Sequence, residues 1–424
     1  MNILLISANR TSVNMPVFPL GLAYLAASLR EERHEVTVLD LLDERAPETT
    51  IVETIGAFDP RLIGLSVRNI DNQDPFHSEF FLPAIRSLVR TCRKASAAPI
   101  VIGGAGYSIF PHAALDFLEA DYGVVGEGER ALCRIARALE AGGEVAAVPG
   151  VIQRHRPAMR RRGFIRRLDG IALPARQSLD TARYRAAGPM PIQGKRGCHR
   201  TCLYCSSPLI EGRSVRLRSP AGILREIEDA VERHGVESFF FVDNLFNYPE
   251  DHAIALCQAI VARGLRIAWR SILHPLSVSR RLVKWMKRAG CIEVSLGFES
   301  DSDRMLRALR KGFRAADVRR TSRLLKEFEI DQVGFLLLGG PGEDRTSVEE
   351  SLAFAEALAP KALKVAVGLR VYPRTALAEL AVKEALVPRD ANLLAPVFYM
   401  SPAVRDWLPE RIRADVKSHP GWRL

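Results

Sequence analysis

Short apolar runs alternate with helical stripes along most of this chain, and that alternation narrows its folds more than any other feature. In residues 1–150 the runs fall at 3–7, 36–39, 62–67, 99–102 and 122–125. Between the first two, Leu22, Leu25, Ala26 and Leu29 share one helical face. Strands separated by helices predict a parallel α/β sheet. In such sheets ligands sit beyond the carboxyl ends of the strands, which singles out loops 7–18, 66–75, 103–108 and 126–129. From residue 190 the alternation resumes, with six runs at 191–193, 238–242, 266–270, 292–297, 332–338 and 363–371. Residues 151–189 lack periodicity and read as a connector, and 386–424 as a small C-terminal cap.

The second half opens on Gly194-Lys195-Arg196-Gly197-Cys198-His199-Arg200-Thr201-Cys202-Leu203-Tyr204-Cys205. Three of the seven cysteines fall in this one loop, spaced C-x3-C-x2-C. A disulfide framework fits poorly, because the count is odd and no secretory segment is recognisable. A structural zinc site would want a fourth ligand at zinc-finger spacing, and no second C-x2-C pair follows. Three thiolates can instead hold an iron–sulfur centre with one corner open. Cys92, Cys133, Cys257 and Cys291 lie among apolar neighbours and are expected to be packing residues.

The formal charge of +11 invites a nucleic-acid partner. Much of the excess is the cluster Arg154, Arg156, Arg160, Arg161, Arg162, Arg166 and Arg167, and aromatics make up 7%. Without basic–aromatic interleaving, a solvated Arg-rich connector is the expectation and nucleic acid is disfavoured. No apolar run reaches the ~18–20 residues of a membrane helix, so a cytoplasmic location is expected.

The cysteine loop, with Tyr204 before the third cysteine, resembles the cluster signature of radical S-adenosylmethionine (SAM) enzymes. The first 150 residues are similar to the cobalamin-binding domain that precedes many such cores. The matching pieces are Pro19-Leu20-Gly21-Leu22-Ala23-Tyr24-Leu25-Ala26, Ile63-Gly64-Leu65-Ser66-Val67-Arg68-Asn69, Val101-Ile102-Gly103-Gly104 and Val125-Gly126-Glu127-Gly128-Glu129. The resemblance implies a doubly wound, Rossmann-like (flavodoxin-like) α/β domain at 1–150 and a linker at 151–189. A partial (β/α)6 TIM barrel would follow at 190–385, then the cap. It implies a 4Fe-4S cluster on Cys198, Cys202 and Cys205, with SAM on the fourth iron.

For SAM the resemblance also points to Tyr204, Asp243, Asn244, Ser295, Glu299 and Arg370. Asp243-Asn244 stands where the family often carries Gly-Gly-Glu. Ser295 and Glu299 lie in a Gly-x-Glu-Ser-like segment, and Arg370 in a Gly368–Thr375 stretch similar to the family's Tyr-Pro-x-Thr. For cobalamin it points to Arg68, Asn69, Asp71, Gly103, Gly104, Gly106, Gly126, Glu127 and Glu129. The Asp-x-His-x-x-Gly motif that ligates cobalt in other cobalamin proteins is absent. A His-ligated cofactor is therefore not expected, and Arg68 is placed to keep water from the lower face.

The implied activity is C-methylation of an unactivated carbon of a small molecule, through a 5′-deoxyadenosyl radical and methylcobalamin. Ring formation, ring contraction or rearrangement with the same cofactors is the alternative. A tRNA-modifying enzyme and a non-catalytic cobalamin-binding regulator stand further off. A low-potential electron donor such as a flavodoxin or ferredoxin would be the protein partner.

Overall fold

The computed structural model describes residues 1–10, 16–156 and 159–424. The expected loop 7–18 thus lies partly outside the described residues. The first sheet contains β1 (Asn2–Ser7), β2 (Glu35–Asp40), β3 (Leu62–Ser66), β4 (Ile100–Gly103), β5 (Tyr122–Val124) and β6 (Val151–Gln153), ordered β2-β1-β3-β4-β5-β6. Its pairs are parallel except β5–β6. The order reverses direction at β1, between β2 and β3, and this switch point opens a crevice at the strand ends. Ile3, Leu4, Leu5 and Ile6 are all fully buried, as a strand covered on both faces requires. The doubly wound expectation is met, but β6 extends the first sheet into the expected connector. Tyr122, Gly123 and Val124 pair with residues 153, 152 and 151.

The second sheet follows β7 (Met190–Ile192). A small antiparallel ladder, β8 (Lys195–Arg196) with β9 (Arg216–Leu217), flanks the cysteine loop. Then come β10 (Ser238–Phe241), β11 (Ala268–Leu273), β12 (Cys291–Glu299), β13 (Asp331–Leu338) and β14 (Ala362–Val367), each parallel to the next. The sheet is open, with β7 at one edge and β17 (Trp422–Arg423) at the other. Alternation along β12 gives it two faces. Val294, Leu296 and Phe298 are buried in the core under the helices, while Ser295 and Gly297 on the other face are half-buried.

Three expectations shift. The third barrel strand runs to Leu273 rather than Arg270. The sixth breaks at Gly368, whose φ of 76° ends β14; β15 (Leu369–Arg370) then pairs antiparallel with β16 (Phe398–Tyr399). The expected cap at 386–424 is partly barrel: Trp422 is buried and its strand extends the barrel sheet beside Leu363.

The helix Pro220–His234 shows how local signals hold the barrel in register. Ser219 caps it, its Oγ accepting from the Gly222 N–H at 3.0 Å, and Pro220 takes the first position. Ile223, Ile227 and Ala230 are buried, and Gly235 ends it at φ 60°. Cys92, Cys133, Cys257 and Cys291 are buried as expected. No helix among the described residues is long and apolar enough to cross a membrane.

Candidate active site

The cysteine loop is held from both ends. Gly197 takes φ 94°, and a Cβ there would lie 2.2 Å from the Ser214 carbonyl oxygen, so only glycine fits the turn into Cys198. The Cys198 N–H donates to the Gly212 carbonyl at 3.1 Å. Leu203 is hydrogen-bonded to Leu309 and Leu377, pinning the centre of the loop to the end of one helix, Asp303–Ala308, and the start of another, Ala376–Lys383. Cys198 is buried, and Cys202 and Cys205 are half-buried. Burial pushes the Cys198 and Cys202 thiols up; for Cys202 the Lys311 ammonium opposes it.

Among the described residues no three His, Cys, Asp or Glu side chains converge as they would on a single metal ion. Three thiols on one loop suit an iron–sulfur centre, in which each sulfur takes its own iron. All-sulfur donors, a glycine turn that clears the backbone and a cation beside Cys202 fit such a cluster.

Around the loop, three acidic side chains do different work. Asp243 is buried at the end of β10, and one oxygen accepts from the Gly194 N–H at 2.7 Å and the Lys195 N–H at 3.0 Å. Its other oxygen has no protein partner. Burial raises its pKa to about 6. Asn244 instead donates to Glu211, 2.7 Å away. Glu211 also accepts from the Gly197 N–H at 3.0 Å and from Gln193 at 2.8 Å, bracing the loop from behind. Glu299 ends β12 at φ 62° and accepts from Lys311 at 2.8 Å and Tyr204 at 3.1 Å. Ser295 sits mid-strand, one pleat beyond Gly297 on the same face. Burial pushes His274 down to about 3, and its ring nitrogens meet the Lys311 carbonyl and the Leu276 N–H. It is a neutral brace.

In the first sheet, an open-mouthed cavity lies at the strand ends. Gly103, Gly104, Gly126, Glu127 and Glu129 line it, with Gly21, Gly64 and Gly128. A Cβ at Gly21 would meet nothing within 4 Å, so bare backbone faces open space. Such a wall admits a bulky ligand at close range. Gln193, Arg196, Ile210 and Glu211 of the cysteine-loop region form its remaining side.

Other expected contacts are placed elsewhere. Arg370 and Asp71, assigned above to SAM and cobalamin, pair with each other at 2.8 Å. The remaining Arg370 donors reach the carbonyls of Val371, Leu393 and Leu394. Both are buried, so this pair ties the first domain to the barrel. Gly106 is not in the cavity; it lies in the short helix Ala105–Ile109 and its N–H donates to the Val67 and Arg68 carbonyls. Glu127 and Glu129 are engaged by Arg216 and Arg196, although one Glu129 oxygen stays buried without a partner. Arg68 and Asn69 line a separate cavity with Arg10, Glu79 and Phe80. Arg162, expected in solvent, is half-buried and donates to the Leu209 carbonyl at 2.7 Å, behind the cysteine loop.

The B12 binding domain profile matches residues 6–136 and the Radical SAM superfamily profile residues 192–355. The chain belongs to the B12-binding radical SAM family. This family member is similar to an uncharacterized methyltransferase of Pyrococcus horikoshii, PH0819, at 29% identity over 87% of this chain and 79% of that protein. It is also similar to the tryptophan 2-C-methyltransferase of Streptomyces laurentii, at 25% identity over 88% and 73% of the two chains. Among solved structures, the radical SAM methyltransferase TsrM of Kitasatospora setae, with cobalamin and a 4Fe-4S cluster bound, superposes with TM-score 0.89. It covers all of this chain and 92% of that one, at 24% identity, a likeness of fold.

Lys311, Glu211, Lys195 and Arg196 escaped the sequence reading. Lys195 and Arg196 stand inside the quoted loop, but nothing local marks a lysine as buried. The Lys195 ammonium donates to the Phe246 and Tyr248 carbonyls, and burial lowers it to about 8.

Proposed function

We propose that this enzyme C-methylates an unactivated carbon of a small-molecule substrate, using a 4Fe-4S cluster, SAM and cobalamin. One observation carries the reading: Gln193, Arg196 and Glu211 brace or flank the cysteine loop and also wall the cavity of the first sheet. Two cofactor sites built on shared residues put a cluster and a cobalamin within reach of one substrate. When bound, the cluster and SAM would supply a 5′-deoxyadenosyl radical, and cobalamin a transferable methyl group.

The chain's own part is to bind, orient and shield. Cys198, Cys202 and Cys205 would hold the cluster. The unpartnered Asp243 oxygen would accept from the SAM ammonium, and Tyr204 and Glu299 would lie beside it. The glycines of β3, β4 and the 126–128 turn would admit the cobalamin. The half-buried inner face of the barrel, with Phe240, Ile272, Val333 and Phe335, would take the substrate. A low-potential flavodoxin or ferredoxin would supply electrons.

Anaerobic reconstitution with iron, sulfide and hydroxocobalamin tests this. About four irons and one cobalt per chain are expected, and iron is lost when the three cysteines become alanine. Iron without cobalt overturns the cobalamin half. A second reading is ring formation. The anaerobic magnesium-protoporphyrin IX monomethyl ester cyclase of Synechocystis is 27% identical over 74% of this chain and 62% of that protein. With the native substrate, labelled methyl transfer from SAM supports the first reading, and 5′-deoxyadenosine release without it the second.

A further inference from the structure

Lys311 lies between the helices Asp303–Ala308 and Ala315–Glu327, in a loop built to turn it inward. Its neighbours Arg310 and Gly312 take φ 55° and 73°, and the first of these is a conformation non-glycine residues seldom adopt. The Lys311 N–H donates to the Leu306 carbonyl at 3.0 Å, and its carbonyl lies 3.2 Å from His274 Nε2. Its side chain therefore enters the barrel mouth, 8% exposed. There Nζ reaches Glu299 at 2.8 Å and the Tyr204 hydroxyl at 3.2 Å, with the Phe313 ring centroid 6.0 Å away. Glu299 is itself left-handed, where the β12–β13 register shifts after Gly297. Two strained backbone segments thus converge on one ion pair, and such strain gathers at functional sites.

An ion pair serving only to fasten its loop has no need of a third member. Here the third member is Tyr204, which stands between Cys202 and Cys205. Burial would lower the lysine pKa, but Glu299 and Tyr204 outweigh it and hold the ammonium charged.

We propose that Lys311 is a positioning residue of the cluster site, fixing the Cys202–Cys205 turn through Tyr204 and, balanced by Glu299, setting the cluster's reduction potential. This rests on the reading that the three thiols carry a 4Fe-4S cluster. The step concerned is addition of one electron, taking the cluster from the 2+ to the 1+ state, with no bond or proton changing place. A buried cation beside the cluster favours the more negative, reduced state, and a buried carboxylate opposes it.

The experiment compares reconstituted wild type, Lys311→Met, Lys311→Arg and Glu299→Gln without SAM. Iron per chain and the midpoint potential are read by paramagnetic resonance under dithionite titration. Lys311→Met is expected to shift the midpoint down, Glu299→Gln to shift it up, and Lys311→Arg to restore it towards wild type. The resonance line shape should change in Lys311→Met as the Tyr204 turn relaxes. Unshifted midpoints, or shifts of the same sign in Lys311→Met and Glu299→Gln, overturn the proposal. If Lys311→Met fails to hold iron, the Glu299→Gln midpoint alone decides. A wild type that takes up no iron sinks the underlying reading instead.

Discussion

Gly197 carries more of the site than its size suggests. Its φ of 94° is costly for any other residue, and the Ser214 carbonyl occupies the space a methyl would need. Gly197→Ala is expected to cost about 1–3 kcal/mol and to lower iron retention. Thermal unfolding and iron analysis of the reconstituted variant check both. Asp243 and Asn244 show how neighbours part company. Both were expected near SAM, but the carboxylate keeps a free oxygen while the amide is spent on Glu211. Such assignments are illegible in sequence, since they depend on which backbone N–H groups a strand end happens to face.

Among the elements, the turn after β13 offers a pH test. Glu343 is buried, one oxygen accepting from the Gly339 and Gly340 N–H groups and the other without a partner. Burial raises its pKa to about 7. The folded form therefore holds its proton more tightly than the unfolded chain, and stability falls as pH rises from the ordinary glutamate range through 7. Glu343→Gln cannot titrate. It should gain on the order of 2 kcal/mol over wild type at pH 8 and little at pH 5, read by denaturant midpoints at both pH values. The Gly-Pro turn was visible in the sequence as Gly339-Gly340-Pro341-Gly342-Glu343. The buried state of its glutamate was not, because a carboxylate after a turn is ordinarily solvated.

Across the whole molecule, a buried polar knot joins the two sheets. Glu226 on the barrel helix accepts from Tyr24 of the first domain at 2.7 Å, Arg176 of the connector at 2.9 Å and Arg218 at 2.5 Å. All four residues are buried. Tyr24→Phe removes one bond to a charged group and should cost about 1.5–3 kcal/mol. Glu226→Ala strands two buried guanidinium groups and should cost about 3–5 kcal/mol. Equal losses in the two variants, measured by urea unfolding, would contradict this ranking. With Arg370–Asp71, this knot sets how the cavity of one sheet meets the cysteine loop of the other.

The run of strands and helices, the doubly wound first sheet, the open barrel and the three-cysteine loop were all set down in the sequence. The strand–helix alternation and the cysteine loop rest on spacing and periodicity within a few residues, which a linear reading can count; the doubly wound order and the open barrel came from the family resemblance those residues carry. The burial of Lys311 and Glu226, the contacts of Glu211 behind the cysteine loop, the Asp71–Arg370 pairing and the wall shared by two sites were decided by tertiary structure. They join residues up to 299 positions apart, and a charged side chain reveals its partner only when the fold removes the water between them.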